Sequence, residues 1–553
     1  MPRRNPHLAE SGASPGPTGW SSRAGFLAAA GVAFVTLWSA RRFLHDDAFI
    51  TFRYVDRLWA GHGLSWTLGR PVEGFTHPLW LALLALAHPL PASLPWIARA
   101  LALASLAGVF VVWARARLAS EFLLAAVAFP GLVLWTLGGL ETTTFCLLLL
   151  VGFTEASAVL QRGGDGGSSL VLGFAFAAAG LTRPEGVVCG AVALAFLCAS
   201  GRRREAARAL VPFGAPLAAY ALFRLVIFSE LIPNSARVKV FAIAPAVQFR
   251  SALEYLTTGL ARFHSFGPEA LYVQTPFGIP RFGLAEWAPP ALLAAAAILL
   301  RPTRARILGL LLAAPIVLLA ISGGGDHMRG MRLLVPAVLV ALAGAATPAP
   351  THSADGSLRV LAIAVASWNL AFSTAWNAPN DQAASVGAQV GHFLERRAPA
   401  GSLVATATGG STPYFAPSLE FIDTLGLNDR VIARRPISTL HTYWQAAPGH
   451  RKGDGGYVLE RQPDVIVIGP AQGARADAGL RTWFLTDMEL SKSPRFHAEY
   501  RPFAVLVPVE RSLADSLPLP RAYATLGAIP CVFYLRRGSP AEAAMDLFGA
   551  ARS

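Results

Sequence analysis

The chain has little charge for its length. Of its 553 residues, only 14% are Asp, Glu, Lys or Arg, whereas a typical soluble domain carries roughly 25%. Hydrophobic residues make up 54% of the chain. This composition excludes an ordinary soluble domain and indicates a protein embedded in a membrane.

Several chemical signatures are also missing. The four cysteines, Cys146, Cys189, Cys198 and Cys531, show no paired spacing, which excludes a disulfide framework and a cysteine zinc site. No G-x-G-x-x-G opens a helix after a strand and there is no P-loop, so nothing indicates a nucleotide site. Without a D-x-D-type string, we predict no resident cofactor. A divalent cation, Mg²⁺ or Ca²⁺ held by carboxylates, is the minority alternative.

Long apolar runs dominate the first two thirds of the chain. Many have about 15 to 23 residues, the length with which a helix crosses a bilayer. We predict a mainly α, polytopic membrane protein with about eleven transmembrane helices. Their approximate ranges are 24–40, 96–114, 122–138, 143–160, 169–182, 186–200, 207–229, 287–300, 305–321, 332–347 and 358–375. The apolar segment from His77 to Pro91 is short and bracketed by prolines, so we interpret it as a re-entrant or interfacial helix.

The basic residues predict how these helices are oriented. The net charge of +14 comes mainly from arginines between apolar runs, which argues against a nucleic-acid surface and instead indicates topology. With the N-terminus in the cytoplasm, the inner loops contain Arg115, Arg162, Arg202–Arg204 and Arg301–Arg306. Every polar, motif-like segment then falls on the outer face of the membrane.

The composition also divides the chain into regions. Residues 1–23 are rich in Pro, Gly and Ser, which predicts a disordered cytoplasmic N-terminus without a cleavable signal peptide. Residues 24–375 are the predicted transmembrane domain, with its first outer loop at 41–95. Residues 376–553 alternate short apolar runs with Gly, Pro and Asp, which predicts an extracytoplasmic α/β domain with parallel strands. The strongest strand candidates are 402–408, 464–469 and 503–509.

Two adjacent carboxylates, Asp46 and Asp47, follow the first apolar run, where a membrane helix would emerge into water. On a helix they point about 100° apart, so one can face an acceptor hydroxyl while the other holds a cation. Aromatic and cationic residues follow them as far as Trp80. This combination at a membrane surface indicates chemistry on a polar group carried by a lipid. The simpler interpretation is that one aspartate caps a helix beginning at Ala48.

Seven short motifs occur in order along the chain. They are HDDAFITFRY (45–54), VEGFTHPLW (72–80), GGLET (138–142), LTRPEG (181–186), LIPN (231–234), SGGGDHM (322–328) and IDTLGLNDR (422–430). As a set, they resemble the polytopic glycosyltransferases of the GT-C superfamily and are most similar to the mycobacterial terminal arabinofuranosyltransferase family. The resemblance extends over most of the chain, and it is the combination of motifs that is specific.

The resemblance implies a GT-C fold and a multi-pass enzyme of the bacterial inner membrane. Such an enzyme takes a sugar from a polyprenyl-phosphate donor on the outer face, and its acceptor is a glycan, lipid or protein of the cell envelope. The sugar would be arabinofuranose or another pentose or hexose. In that superfamily an acidic residue of the first outer loop is the base or orients the acceptor, a role that maps onto Asp46 and Asp47.

Glycosyl transfer also requires stabilisation of the leaving phosphate, for which guanidinium, ammonium and imidazole groups are suited. The predicted phosphate-binding residues are Arg53, Arg183, Asn234, Arg237, Lys239, His327 and Arg332. The alternatives are lipid headgroup anchors or, for Asn234, a helix cap. The predicted sugar- or acceptor-binding residues are Glu73, His77, Glu141, Glu185 and Asp326. For the acids, simple ion pairs with neighbouring arginines such as Arg70 are the alternative.

Two other classes of membrane protein stay open. A transporter or flippase of lipid-linked sugars would place ionisable residues at the bilayer midplane, often with internal repeats. In this chain the charges gather at one face and no repeat is visible. A non-catalytic scaffold would use the C-terminal domain for binding, but Asp46, Asp47 and the ordered motifs favour an enzyme.

Overall fold

The structure is a computed structural model that describes residues 20–69, 71–162, 166–258, 273–274, 280–281, 284–328, 330–348, 353–372, 381–442, 444–476 and 483–550. Helices dominate the described chain up to Phe372, and a five-stranded sheet with short helices follows. Most of the predicted disordered N-terminus and the predicted domain boundary near residue 376 lie outside the described residues.

The helical part consists of long helices joined by short turns. Its helices are α1 (Trp20–Ser39), α2 (Asp46–Trp59), α3 (Pro78–Ala87), α4 (Leu94–Arg115), α5 (Ser120–Ala128), α6 (Pro130–Leu137), α7 (Thr142–Arg162), α8 (Gly166–Thr182), α9 (Glu185–Ala199), α10 (Arg203–Ile227), α11 (Asn234–Lys239), α12 (Pro245–Thr258), α13 (Leu284–Leu300), α14 (Arg304–Ser322), α15 (Val335–Ala345) and α16 (Ser353–Phe372). A two-stranded hairpin, β1 (Val273–Gln274) and β2 (Pro280–Arg281), precedes α13, and a 3₁₀ turn, Arg332–Leu334, precedes α15.

These helices share one apolar core. α8 packs against α7, α9 and α10, and α14 packs against α9 and α15. Small residues allow the closest of these contacts. A Cβ on Gly309 of α14 would lie 2.9 Å from the Cα of Gly344 of α15, so a larger residue at either position would separate the two helices.

Within the described residues, four helices are long and apolar enough to cross a membrane: α4, α7, α10 and α14. The bent pair α5 and α6 would be a fifth. The prediction of about eleven spans is therefore not confirmed. The other predicted spans correspond to apolar helical stretches of 10–17 described residues, which are shorter than the roughly 20 residues of a typical span.

Two segments depart from a straight span. The sequence predicts one helix over 122–138, but α5 and α6 meet at a 63° bend. Pro130 explains the break because it has no N–H to donate and disfavours helical backbone at Phe129. α3 has 10 residues and rises only about 15 Å. This length fits the predicted re-entrant or interfacial helix.

The sheet domain follows α16. Its helices are α17 (Gln382–Arg397), α18 (Ser411–Tyr414), α19 (Arg430–Arg434), α20 (Gly455–Glu460), α21 (Leu485–Ser491), α22 (Pro494–Glu499), α23 (Arg511–Ser516), α24 (Arg521–Leu526) and α25 (Pro540–Ala550). Its strands are β3 (Leu403–Thr406), β4 (Glu420–Asp423), β5 (Val465–Val467), β6 (Tyr500–Pro508) and β7 (Ala528–Arg536). A second 3₁₀ turn spans Trp444–Ala446.

The sheet is mixed, with the strand order β4-β3-β5-β7-β6. β3 lies between β4 and β5 and runs parallel to both, whereas β7 is antiparallel to β5 and β6. The three predicted strands appear as β3, β5 and β6. The sequence analysis missed β4 and β7, and β7 makes the sheet mixed.

Helix α2 lies between the helical part and the sheet domain. Its residues from Asp46 to Val55 are buried, except Asp47. Phe49 packs against Tyr414 and Phe415 of the sheet domain. One hydrophobic core therefore runs from α2, α3 and α4 into β3, β5 and β7, which fixes the first turn of α2 at the boundary between the two parts.

Candidate functional site

Two adjoining cavities surround the first turn of α2. The helix-end cavity, of about 180 Å³, is enclosed by residues that include Glu141, Arg183, Lys239 and Arg332. The interdomain cavity, of about 420 Å³, lies between α2 and the sheet domain and is lined by residues that include His45, Asp381, Trp444 and His450. The two cavities share a wall formed by Asp47, Ile50, His327, Met328 and Leu427.

The helix-end cavity brings together most of the predicted site residues. Those that line it are Asp47, His77, Glu141, Arg183, Glu185, Lys239, Asp326, His327 and Arg332. Each of them lies at a helix end or in a turn between helices. The ends of the apolar helices therefore gather polar groups that are far apart in sequence.

Three predicted phosphate-binding residues do not line either cavity. Arg53 is buried beside the sheet domain and donates to backbone carbonyls, including that of Leu419 at 3.0 Å. The amide of Asn234 donates to carbonyls of the turn 426–429 and caps no helix. Arg237 lies 3.3 Å from a carboxylate oxygen of Glu230. All three side chains hold parts of the fold together.

Glu73 also lies outside both cavities. Its carboxylate accepts a hydrogen bond from Tyr220 at 2.7 Å and pairs with Arg224 at 2.9 Å. This arrangement matches the ion-pair alternative, although with a different arginine from the one considered. Arg70 itself lies outside the described residues.

Asp46 binds the sheet domain. Its carboxylate accepts hydrogen bonds from the backbone N–H of Ser411 at 2.7 Å and of Gly410 at 3.1 Å. Its own N–H donates to Asp381 at 2.8 Å. A Cβ on Gly410 would lie 2.0 Å from the carbonyl oxygen of Asp46, so the close approach requires glycine. Asp46 is thus a buried residue that connects α2 to the sheet domain. This corrects the expectation that both aspartates are at the water interface.

Neither aspartate caps α2, because the helix begins at Asp46 and its N-cap is His45. The Nδ1 atom of His45 accepts a hydrogen bond from the N–H of Asp47 at 3.2 Å. The Nε2 atom of the same ring lies 3.5 Å from a carboxylate oxygen of Asp381. The predicted capping alternative is wrong for both aspartates.

The pKa of Asp46 leads to a prediction about stability. Burial and the carboxylate of Asp381 raise this pKa from 3.8 to about 6, against the opposing hydrogen bonds from Ser411. The folded chain therefore holds this proton more tightly than the unfolded chain. The contribution of Asp46 to stability is largest at acidic pH and is lost as the pH rises through about 6.

We expect the melting temperature of Asp46→Asn to fall further below that of the wild type at about pH 4.5 than at about pH 7.5. Burial also raises the pKa of Asp423 to about 6 and that of Asp487 to about 7. These groups titrate in both proteins, so the difference between the two melting curves isolates Asp46. A difference that does not change with pH would contradict the assignment.

Asp47 faces the wall that the two cavities share. Its carboxylate oxygens lie 3.9 Å from Nζ of Lys239 and 3.9 Å from Nδ1 of His45. Burial alone would raise the pKa of Asp47, but nearby positive charge, led by Lys239 and including Arg332, outweighs burial and lowers it. The carboxylate is therefore held ionised, the form that accepts a hydrogen bond from a hydroxyl.

Arg183 is held between two carboxylates. It donates to Glu141 at 2.9 Å and to Glu185 at 2.7 Å. The second oxygen of Glu141 lies 3.4 Å from Nδ1 of His77. Burial alone would lower the pKa of Arg183, but the two carboxylates raise it. Arg183 lines the cavity, yet both of its terminal nitrogens are engaged, as the ion-pair alternative describes.

Arg332 and Lys239 have N–H groups that are available to donate hydrogen bonds to a ligand. Nε of Arg332 lies 3.3 Å from Asp326, and its guanidinium group lies over the ring of Trp135 at 5.1 Å. Within the described parts of the chain, the terminal nitrogens of Arg332 have no hydrogen-bond partner. The only partner of Lys239 Nζ there is Asp47, at 3.9 Å. These two cations can therefore bind an anion in the helix-end cavity.

The interdomain cavity lies at the carboxyl ends of three parallel strands. The turns 407–409, 423–427 and 469–472, which follow β3, β4 and β5, contribute to its wall. This edge of a parallel sheet is where α/β domains commonly bind ligands. The rings of Trp444 and Trp483, which also line the cavity, stack 5.7 Å apart.

The strand-end turns and the two tryptophans that line the interdomain cavity were not among the site residues predicted from the sequence. The strand ends could have been found, because two of the three strands were predicted and each is followed by small residues. The tryptophans gave no such signal, because they lie in irregular segments without a period.

A family model described as a domain of unknown function (DUF8728) matches residues 374–524, a range that contains β3 to β6 of the sheet domain. No curated protein matches the chain significantly in sequence.

Two solved structures are similar in outline. One is ArnT from Cupriavidus metallidurans bound to undecaprenyl phosphate, with 16% identity, a TM-score of 0.48, and coverage of 76% of this chain and 90% of that chain. The other is the same protein in the apo state, with 14% identity, a TM-score of 0.45, and coverage of 75% and 88%. At these TM-scores the likeness does not establish a shared fold.

Proposed function

We propose that this protein is a membrane glycosyltransferase of the GT-C type, which transfers a sugar from a polyprenyl-phosphate donor to an acceptor of the bacterial cell envelope. The observation behind the proposal is the position of Asp47. Its carboxylate lines both the helix-end cavity, which Arg332 and Lys239 also line, and the interdomain cavity. The ordered sequence motifs support the same class of enzyme.

In this proposal the helix-end cavity holds the donor phosphate. Arg332 and Lys239 bind the phosphate oxygens, and Arg183 keeps the acids Glu141 and Glu185 in place around them. The polyprenyl tail stays in the bilayer, because removing it would cost about 0.8 kcal/mol per CH₂. The cavity should therefore open sideways to lipid.

Asp47 then acts as the general base. It takes the proton from the acceptor hydroxyl as the acceptor oxygen forms a bond to the anomeric carbon of the sugar. The bond from that carbon to the phosphate oxygen breaks, and its electron pair leaves with the polyprenyl phosphate. The two cations stabilise the negative charge on this leaving group.

The acceptor approaches through the interdomain cavity. Aromatic rings such as those of Trp444 and Trp483 can stack on a sugar face, and the strand-end turns offer backbone groups to its hydroxyls. The sugar is arabinofuranose or another pentose or hexose. The acceptor is a glycan, a lipid or a protein.

The direct test is turnover by the full-length protein in detergent. Polyprenyl-phosphate pentoses and hexoses are supplied with envelope glycan, and the released polyprenyl phosphate is measured. We expect release that depends on the acceptor. Movement of the intact lipid across vesicle membranes without release would indicate a flippase instead. Binding without either event would indicate a scaffold.

We do not include a metal in this mechanism, because Arg332 and Lys239 can supply the positive charge that a divalent ion would otherwise bring. Turnover should therefore survive EDTA and should not rise when Mg²⁺ or Ca²⁺ is added. Loss of turnover in EDTA that either ion restores would contradict this expectation and support the carboxylate-held cation.

The proposed topology leads to a separate prediction. With a cytoplasmic N-terminus and a periplasmic sheet domain, alkaline phosphatase fused to the C-terminus should be active, since this reporter requires export. A fluorescent protein fused at the same position should be dark, because it is exported unfolded by the general pathway. The opposite pair of results would place every motif on the inner face of the membrane and overturn the proposed site.

A further inference from the structure

Two histidines from different parts of the chain meet where the cavities adjoin. His327 follows α14 in the helical part, and His450 lies in the sheet domain between the second 3₁₀ turn and α20. Their ring centroids are 4.6 Å apart. Both line the interdomain cavity, and His327 also lines the helix-end cavity beside Asp47. His450 was not among the residues predicted from the sequence.

Hydrogen bonds hold the loop that carries His450, both at His450 itself and at the next residue. The N–H of His450 donates to the carbonyl of Ala447 at 3.0 Å. The next residue, Arg451, is fully buried and donates to Ser251 of α12 at 3.1 Å and to Gln248. The carbonyl of Arg451 accepts a hydrogen bond from Gln445 at 3.1 Å. His450 is therefore held rigidly against the helical part.

Nitrogen atoms of both histidine rings lack hydrogen-bond partners among the described residues. Among the described residues, the Nδ1 atoms of both histidines are buried without a hydrogen-bond partner. The nearest carboxylate to His327, that of Asp326, is 3.8 Å away, which is too far for a hydrogen bond. Burial lowers the pKa of both rings, most strongly that of His450. The Nε2 atom of His450 is not among these buried atoms and has no hydrogen-bond partner among the described residues, so it is the atom that can bond a sugar hydroxyl.

The chemistry of the donor locates its sugar at this junction. The sugar is bonded directly to the phosphate, so it lies next to the cations Arg332 and Lys239. The acceptor oxygen attacks the anomeric carbon from the side opposite the phosphate, which is the side of the interdomain cavity. The sugar must therefore lie where the two cavities adjoin, beside Asp47 and His327 of their shared wall and within the part of the interdomain cavity that His450 lines.

We propose that His450 hydrogen-bonds a hydroxyl of the transferred sugar, so that the domain of unknown function forms part of the sugar-recognition site. This inference rests on the proposed function. His450 would be a specificity-determining residue, because it would contact the sugar and neither the phosphate nor the lipid tail.

The test compares ligands with and without a sugar. Full-length wild type and His450→Phe in detergent are titrated with undecaprenyl phosphate, undecaprenyl phosphoarabinofuranose and undecaprenyl phosphoglucose. Phenylalanine keeps the ring contacts with Trp444 and Phe484 but cannot hydrogen-bond. We expect the Kd of the preferred sugar-bearing ligand to rise roughly 2- to 12-fold, the loss of one neutral hydrogen bond. The Kd of undecaprenyl phosphate should not change.

The control is His441→Phe, at an exposed position in the same domain, which should leave all three affinities unchanged. Equal weakening of the bare and the sugar-bearing ligands, or no weakening of either, would overturn the role of His450 while leaving the proposed function intact. If wild type binds none of the three ligands, the proposed function itself fails. A normal affinity of His450→Phe for undecaprenyl phosphate shows that the variant is folded.

Discussion

Replacing Asp47 with Asn is expected to lower turnover by about 10²- to 10⁴-fold, the usual range for loss of a general base. The amide cannot accept the proton of the acceptor hydroxyl. The fold should survive, because Asp47 is the one residue of the first two turns of α2 that is not buried and its partners are 3.9 Å away. Initial rates in detergent, with donor and acceptor both saturating, would measure the effect.

Asp56→Asn is the matched control, because Asp56 lies on the same helix but outside both cavities and pairs with His88 at 3.2 Å. It should keep wild-type turnover. Asp46→Asn should act mainly on stability, because it disturbs two hydrogen bonds to the backbone of the sheet domain. Wild-type turnover by Asp47→Asn would remove the proposed base.

Removing the guanidinium of Arg183 should have the largest effect on stability. Arg183→Ala leaves Glu141 and Glu185 buried without their cation, and breaking such a buried pair typically costs about 3–5 kcal/mol. The side chains of the three residues are only 11%, 4% and 9% exposed, so the two carboxylates are largely removed from bulk water. Unfolding of the purified protein by denaturant in detergent would measure the loss.

A neutral triad separates charge from packing. Combining Arg183→Met with Glu141→Gln and Glu185→Gln removes all three charges together. Because replacement of a whole buried ion network is often neutral or stabilising, this variant should recover most of the stability lost in Arg183→Ala. Recovered stability without recovered turnover would separate catalysis from folding. An Arg183→Ala variant as stable as the wild type would show that the acids do not depend on Arg183.

The sequence predicted the helical segments well because hydrophobic runs are a strong local signal. The number of membrane spans predicted from the sequence was not confirmed. The break at Pro130 divides one run, and several other runs give helices too short to be counted as spans from length and composition alone. The strand β4, EFID, was missed because acidic residues flank its two apolar residues, so no apolar run marks it in the sequence.

Most of the site residues predicted from the sequence line one cavity, for a simple reason. Polar groups at the ends of apolar helices are forced to similar depths, so Arg183, Lys239 and Arg332 could be grouped without knowing how the helices pack. The same reasoning could not separate Asp46 from Asp47. Their roles differ because Gly410 and Ser411, more than 360 residues away in sequence, bind only Asp46.

His450 could not be predicted as a site residue from the sequence. It lies in an irregular loop with no motif around it, and its importance depends on Arg451 entering the helical part beside α12. A contact of that kind leaves no periodicity in the sequence. Only the packing of the two parts brings His450 next to His327.

The hydrogen bonds of Asp46 also impose an order of assembly. The first turn of α2 emerges early in synthesis, but its partners Gly410 and Ser411 are made 364 and 365 residues later. Until the sheet domain has folded, the carboxylate beside Asp47 has nothing to hold it and the interdomain cavity has only one wall. A chain still being synthesised therefore cannot complete the interdomain cavity until its sheet domain has folded.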